Sequence, residues 1–289
     1  MSRVHDALRR AENGGSPPPQ PPKMPIEPVE PIDRPRDDKS EIPIPFRHSL
    51  ETSLLQEAPV VSYRPAPESH LLDLANFHET PSEEFRTLRT RLNHLQTHQP
   101  IHTIVVTSPS PAEGKTLTSV NLALAQGQLA ENLVLLGDFD LRRPTIHSLF
   151  QMNRTPGLSD YLCGQCRFQE AIRKIDGMNL YVMPAGSPVN NPLELLNTRQ
   201  AKALFEELPR YFNWSIFDTP PLLFSADANL LATLADGTVL VVKIGSTTID
   251  NVTRAMQSLC ENNVLGIVAN GARAAELYSK YTYYYSKAD

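Results

Sequence analysis

No run of about 18 apolar residues, the length that crosses a bilayer, occurs anywhere in this chain of 289 residues. No membrane span is therefore expected. The opening residues, MSRVHDALRRAE, also lack the apolar core of a secretion signal, so export is not expected. If that stretch is helical, Val4, Ala7, Leu8 and Ala11 share a face. Cysteine is scarce. Three residues cannot build a disulfide framework. Cys163 and Cys166 form CGQC, but they follow GLSDYL, a short-helix pattern, rather than a strand, and no second pair of cysteines or histidines stands near enough for zinc. Both are read as structural or incidental, and Cys260 as a small buried hydrophobe. Positive charge is in deficit: 27 Lys and Arg against 32 Asp and Glu give a net charge of -5. That balance makes no general case for nucleic-acid binding. The glycine fingerprint of dinucleotide sites, G-x-G-x-x-G, is absent, and Lys115 would have no role beside a neutral ribose.

Proline is what the chain does have, 26 residues of it. Between 12 and 45 it is dense enough, in ENGGSPPPQPPKMPIEPVEPIDRP and EIPIP, to favour extended polyproline and to build no core. Residues 1–80 are accordingly expected to be a largely flexible, proline-rich region. Order is expected from PSEEFRTLRTRLNHL onward, where Phe85, Leu88, Leu92 and Leu95 recur at helical spacing behind Ser82. Short apolar runs then alternate with amphipathic ones. IHTIVVTS, LVLLGD, NLYVMP, WSIFD, TVLVV and VLGIVAN read as strands. GKTLTSVNLALAQGQLA, PLELLNTRQAKALFEEL and the stretches near 226–235 and 248–260 read as helices. This alternation predicts an α/β domain with a mostly parallel central sheet flanked by helices.

The chemistry-bearing residues fall at strand ends. In TSPSPAEGKTLTSVNLA, Gly114, Lys115 and Thr116 follow a strand and open a helix. That is the setting in which backbone amides cradle phosphates, lysine reaches the β and γ oxygens, and a hydroxyl binds Mg2+. The full GxxxxGK[ST] pattern is not met, because Pro109 stands at its first glycine. Asp138 and Asp140 end LVLLGDFD, and Asp218 ends WSIFD. Parallel sheets bind ligands at this edge. Helix capping accounts for one aspartate well and for three together less well. A Mg2+–phosphate site using Thr116, Asp138, Asp140 and Asp218 is the reading that covers them all. Finally, YSKYTYYYSKAD ends the chain with five of its nine tyrosines.

These motifs resemble those of the bacterial tyrosine autokinases (BY-kinases) of capsule and exopolysaccharide export, P-loop proteins related to the MinD/ParA ATPases. The resemblance spans about residues 81 to 289 and rests on SPAEGKT, LLGDFDLRRP, SIFDTPP, VMPAGSPVNNPLELL, LGIVAN and the tyrosine cluster. It implies a MinD/ParA-like P-loop NTPase fold over residues 81–277 and a flexible acceptor tail at 278–289. It implies ATP and Mg2+ as cofactors. Nucleotide contacts would come from Ala112, Glu113, Gly114, Lys115, Thr116, Leu117 and Asn270, and catalysis from Lys115, Asp138, Asp140 and Arg142. The acceptors would be Tyr278, Tyr281, Tyr283, Tyr284 and Tyr285 of a neighbouring subunit. Glu83, Arg86 and Arg89, spaced E-x-x-R-x-x-R, match the motif by which the family joins subunits into a ring. A separate membrane adaptor, a cognate phosphotyrosine phosphatase and a cytoplasmic site at the inner face of the plasma membrane are also implied.

Two positions depart from the family pattern. Ala112 replaces a glycine, where a Cβ would crowd a backbone with positive φ. Gly137 replaces an aliphatic residue, which is expected to remove packing behind Asp138. Ser110 replaces the signature lysine of the partitioning branch. The alternative reading of the same residues is a MinD/ParA-like ATPase acting as a conformational switch without tyrosine phosphorylation, or a nucleotide-binding module without turnover.

Overall fold

In the computed structural model, residues 55–63, 65, 69–72, 82–259 and 264–272 are described. The N-terminal helix expectation, most of the proline-rich region, Cys260 and the tyrosine tail lie outside them. The elements are β1 (Val60–Val61), α1 (Ser82–Gln96), β2 (Thr103–Thr107), α2 (Lys115–Gly127), β3 (Val134–Asp138), α3 (Ile146–Leu149), α4 (Leu158–Leu162), α5 (Phe168–Ala171), β4 (Arg173–Ile175), β5 (Leu180–Met183), α6 (Pro192–Leu196), α7 (Arg199–Glu207), a single 3-10 turn (Leu208–Arg210), β6 (Trp214–Asp218), α8 (Ala226–Leu234), β7 (Gly237–Lys243), α9 (Ile249–Leu259) and β8 (Val264–Asn270). Eight strands form one sheet in the order β1-β4-β5-β3-β6-β2-β7-β8. All neighbours are parallel except β4 and β5. Among the described residues no helix is long and apolar enough to cross a membrane.

Side chains alternate across a strand, and the central strands use this to make two cores. Ile104 and Val106 of β2 point into one apolar cluster with Leu122 and Val120 of α2. Val105 points into the other, with Leu204 and Phe205 of α7. Strands buried on both faces read as unbroken apolar runs, which is why TIVVT and VLLGD show no alternation in the sequence. The α1 stripe packs as its spacing predicts: Leu92 is buried, and Phe85, Leu88 and Leu95 rest against the first core. The stretch PLELLNTRQAKALFEEL forms two helices, not one. Thr198 interrupts it and caps α7, its hydroxyl accepting the Ala201 amide at 3.2 Å. Two short strands, β1 and β4, were not foreseen. Cys163 is exposed, Cys166 half-buried, and both are free thiols.

Part of the expected tether is core. Leu55, Ala58 and Leu72 are buried, and β1 pairs with β4. The Tyr63 hydroxyl donates to the Leu72 carbonyl at 2.9 Å. Buried Asn121 of α2 then holds the segment from inside. Its Oδ1 accepts the Leu72 amide at 2.9 Å, and its Nδ2 donates to the His70 carbonyl at 3.1 Å. Proline density hid this, because the apolar residues here follow no period. Removing the amide leaves the buried Leu72 donor unpaired, which costs about 1–3 kcal/mol, and frees the His70 carbonyl. Asn121→Ala should therefore lower the urea midpoint by an amount equivalent to at least about 1 kcal/mol; an unchanged midpoint would mean that residues 70–72 are not held this way.

Candidate active site

The site stands at the C-terminal ends of β2, β3 and β6. Parallel register fixes its geometry. Asp138 pairs with Asp218 across β3 and β6, and Val106 pairs with Asp218 across β2 and β6. Two carboxylates thus stand abreast, one strand away from the loop that opens α2. That loop has the phosphate-binding form. Gly114 precedes α2 with φ 95°, and a Cβ there would overlap the Asn270 amide. The amides of Lys115, Thr116 and Leu117 have no carbonyl one turn back in the helix, so they are open to an anion. Ala112 has φ 61°. The position does require the left-handed region, and alanine occupies it at the steric cost the sequence anticipates.

Lys115 gathers the acids. Its Nζ donates to Asp140 Oδ2 at 3.0 Å and to Asp218 Oδ1 at 3.5 Å, with the Thr116 hydroxyl at 3.3 Å. Thr116 Oγ1 in turn donates to Asp218 Oδ2 at 2.6 Å, and Ser119 Oγ lies 3.3 Å from Asp218 Oδ1. Asp138 Oδ2 accepts the amides of Thr145 and Ile146, each at 3.0 Å. Its Oδ1 is buried without a hydrogen-bond partner. One cation faces three carboxylates, all at least nine-tenths buried. Burial first, then the charge of Asp218, pushes the Asp138 carboxyl up to about 8. Burial likewise pushes Asp218 up against the opposing pull of Lys115. Burial alone would lower Lys115, but Asp218 and Asp140 outweigh it and hold the ammonium above its ordinary value. Among the described residues no three His, Cys, Asp or Glu side chains form a ready metal cage. Any Mg2+ here would take phosphate and water oxygens beside those of Thr116, Asp138, Asp140 and Asp218, as that ion normally does.

Other expected residues sit differently. Glu113 is buried, and its carboxylate is engaged by protein groups, Oε2 accepting the Ser110 amide at 2.9 Å and Oε1 the Thr247 hydroxyl at 2.6 Å. Asn270 does flank the loop, its Nδ2 donating to the Glu113 carbonyl at 3.0 Å. Arg142 pairs through Nε and Nη2 with Asp227 of α8 at 2.7 and 3.1 Å, and so ties the Asp140 loop to α8. Gly137 removes no packing: a Cβ there would collide with Phe139 and crowd Phe217, whose rings already fill the space behind Asp138. In α1, Arg86 pairs with Glu83 at 2.6 Å, while Arg89 turns inward to the Ala125 carbonyl at 2.8 Å. Ser119 and Asp227 were not singled out from the sequence. Asp227 reads there as an ordinary acid in a helix's first turn, behind the Ser225 cap.

Buried acids around a lysine that follows a phosphate-binding loop, at the C-terminal edge of a parallel sheet, are the arrangement of a nucleotide-phosphate site. No family model matches the chain. It is 35% identical over 208 residues to the tyrosine-protein kinase YwqD of Bacillus subtilis, covering 71% of this chain and 87% of that protein. It is 30% identical over 210 residues to CapB of Staphylococcus aureus, covering 72% and 91%. The chimerical protein CapA2B2 superposes with a TM-score of 0.67 at 27% identity, over 78% of this chain and all of that one (100%). The kinase domain of the Escherichia coli tyrosine kinase ETK superposes at 0.63 and 27% identity, over 80% and 95%. The chain belongs to the bacterial tyrosine-kinase family and is an ATP-binding protein-tyrosine kinase.

A raised carboxyl has a signature in stability. Asp138 binds its proton more tightly folded than unfolded, so its contribution is full below about pH 4 and is lost as pH rises through about 8. In the nucleotide-free protein, Asp138→Asn should be more stable than the parent by an amount that grows from about pH 5 to about pH 8 and then levels off. Chemical denaturation across that range checks this; a gain independent of pH would contradict the buried-acid assignment.

Proposed function

We propose that this protein phosphorylates the tail tyrosines of a neighbouring copy of itself, at the expense of ATP, and so regulates capsule or exopolysaccharide synthesis and export. The observation that carries the proposal is the Lys115 ammonium held among Asp138, Asp140 and Asp218 beside open helix amides. In this reading the amides of Gly114 to Leu117 bind the β-phosphate, and Lys115 shifts from the carboxylates to the β and γ oxygens. The surplus of buried negative charge and the unpartnered Asp138 Oδ1 fit a divalent cation. Thr116 and Asp218 would hold Mg2+, supported by Asp140. Bound there, it supplies positive charge that phosphoryl transfer needs more than covalent chemistry.

The acceptor step falls to Asp138. A tyrosine hydroxyl has an ordinary pKa near 10 and is a weak nucleophile at neutral pH. Its oxygen bonds to the γ-phosphorus as the bond to the β-bridging oxygen breaks, and its proton passes to Asp138. In the nucleotide-free site burial holds the Asp138 carboxyl up at about 8; positive charge arriving with the nucleotide lowers it and leaves a carboxylate ionised to accept that proton. The five tail tyrosines, Tyr278, Tyr281, Tyr283, Tyr284 and Tyr285, are the acceptors. Self-association into a ring raises the effective concentration of a neighbour's tail. Each phosphotyrosine adds about -1.5 to -2 charges, which repels the tail from an acidic site and loosens the assembly. Glu83, Arg86 and Arg89 of α1 supply the subunit contact in this reading. A separate membrane adaptor holds the assembly at the inner face of the plasma membrane, and a phosphatase resets it.

Intact mass after incubation with Mg·ATP tests the proposal. Lys115→Met should reduce phosphotyrosine at least about a hundredfold, since each factor of ten is only about 1.4 kcal/mol of transition-state stabilisation. Changing the five tail tyrosines to Phe should abolish the added phosphates while Mg·ATP affinity stays. Phosphates that persist in the five-Phe protein would move the acceptors elsewhere, and release of free phosphate alone would favour the switch-ATPase alternative.

A further inference from the structure

The phosphate loop lacks its first glycine and carries alanine at a left-handed position, so something else must hold its shape. Glu113 does, and it is gripped from three sides. Its Oε2 accepts the Ser110 amide at 2.9 Å, closing the loop on itself. Its carbonyl accepts Asn270 Nδ2 at 3.0 Å, from the end of β8. Its Oε1 accepts the Thr247 hydroxyl at 2.6 Å, from the turn between β7 and α9. Thr247 is itself fixed. The same Oγ1 accepts the Lys243 amide at 2.8 Å, and the Thr247 amide donates to the Lys243 carbonyl at 2.9 Å. One hydroxyl therefore joins the end of β7 to the loop carboxylate. Among the described residues the two Glu113 carboxylate oxygens are held by one amide and one hydroxyl.

We propose that Thr247 is a positioning residue for ATP: by donating to Glu113 it holds the phosphate loop in the conformation that receives the nucleotide. The inference rests on the nucleotide-binding reading of this loop. Without the hydroxyl, Glu113 Oε1 is buried and unpaired. The carboxylate then gains by turning out to water, and that frees the Ser110 amide and lets Ala112 relax from φ 61°. Apparent affinity falls in proportion to the fraction of loops left in the receiving shape. A bound nucleotide restores that shape, so turnover at saturating ATP is spared. Affinity and turnover are thereby separated, which a general loss of stability would not do.

Thr247→Val keeps the branched shape and removes the donor. It should weaken Mg·ADP binding, read by titration calorimetry, and raise KM for ATP by about tenfold, the scale of a hydrogen bond to a charged group. The kcat for phosphotyrosine formation should stay within about twofold, because the nucleotide itself re-selects the competent loop. Thr247→Ser should bind as the parent does. In a Glu113→Ala background, which binds weakly by itself, Thr247→Val should add nothing, since the two act through one contact. Unchanged Mg·ADP affinity in Thr247→Val, a serine variant as weak as the valine one, or additive losses in the double variant would each overturn the proposal. A parent protein that fails to bind Mg·ADP at all would instead overturn the nucleotide-binding reading beneath it.

Discussion

Three buried carboxylates around one ammonium are the constraint on which the rest of this molecule turns. The register of β3 against β6 leaves no choice: once Leu136 sits beside Ile216, Asp138 must sit beside Asp218. Such acids are costly to ionise together in a buried site. Lys115 relieves part of that cost, and the Thr116 hydroxyl and the Thr145 and Ile146 amides relieve more. What remains is an unmet demand for positive charge, concentrated at the edge of the sheet where ligands enter. The fold stores that demand in rigid strands, so in the proposed reaction a cation and phosphates would arrive at groups already in place.

The frame around the acids is built from the same economy of contacts. Phe139 and Phe217 pack against each other at a tilt, with centroids 4.5 Å apart, which accounts for a glycine at 137 where a larger side chain would collide. Arg142 reaches past the acids to Asp227, whose carboxylate is almost wholly buried, and so ties the Asp140 loop to the start of α8. Glu113 replaces by side-chain hydrogen bonds the closure that a glycine-rich loop obtains from backbone freedom. In each case a residue whose type points to chemistry is used to position another.

The division between what the sequence discloses and what it hides follows from the range of the interactions. Lys115, Thr116, Asp138, Asp140 and Asp218 are legible because each stands at or within two residues of the end of a regular element, and strand–loop–helix boundaries have local signals. The sheet is legible because strands buried on both faces leave apolar runs. Long-range uses of a side chain have no such signature. Nothing near Arg142 announces a partner 85 residues on, and nothing near Glu113 announces Thr247. Arg89 looks solvent-facing by spacing, yet the close approach of α1 to α2 gives it a carbonyl to bond. Leu55 and Leu72 were lost in a proline-rich background because they pack through tertiary contacts without a period of their own. The departures at Ala112 and Gly137 show both outcomes. Backbone conformation at 112 was readable from the motif, whereas the packing at 137 depends on rings whose directions only the fold reveals.

The central claim is electrostatic, and carboxyl chemical shifts measure it directly. With aspartate carboxyls labelled with 13C, and Asp138→Asn used to assign the signal, the nucleotide-free protein should show one group titrating near 8. Adding Mg·ADP should move that titration well down, because positive charge enters the place the acids surround. An Asp138 carboxyl already ionised at pH 5 without nucleotide, or one unmoved by Mg·ADP, would contradict the account.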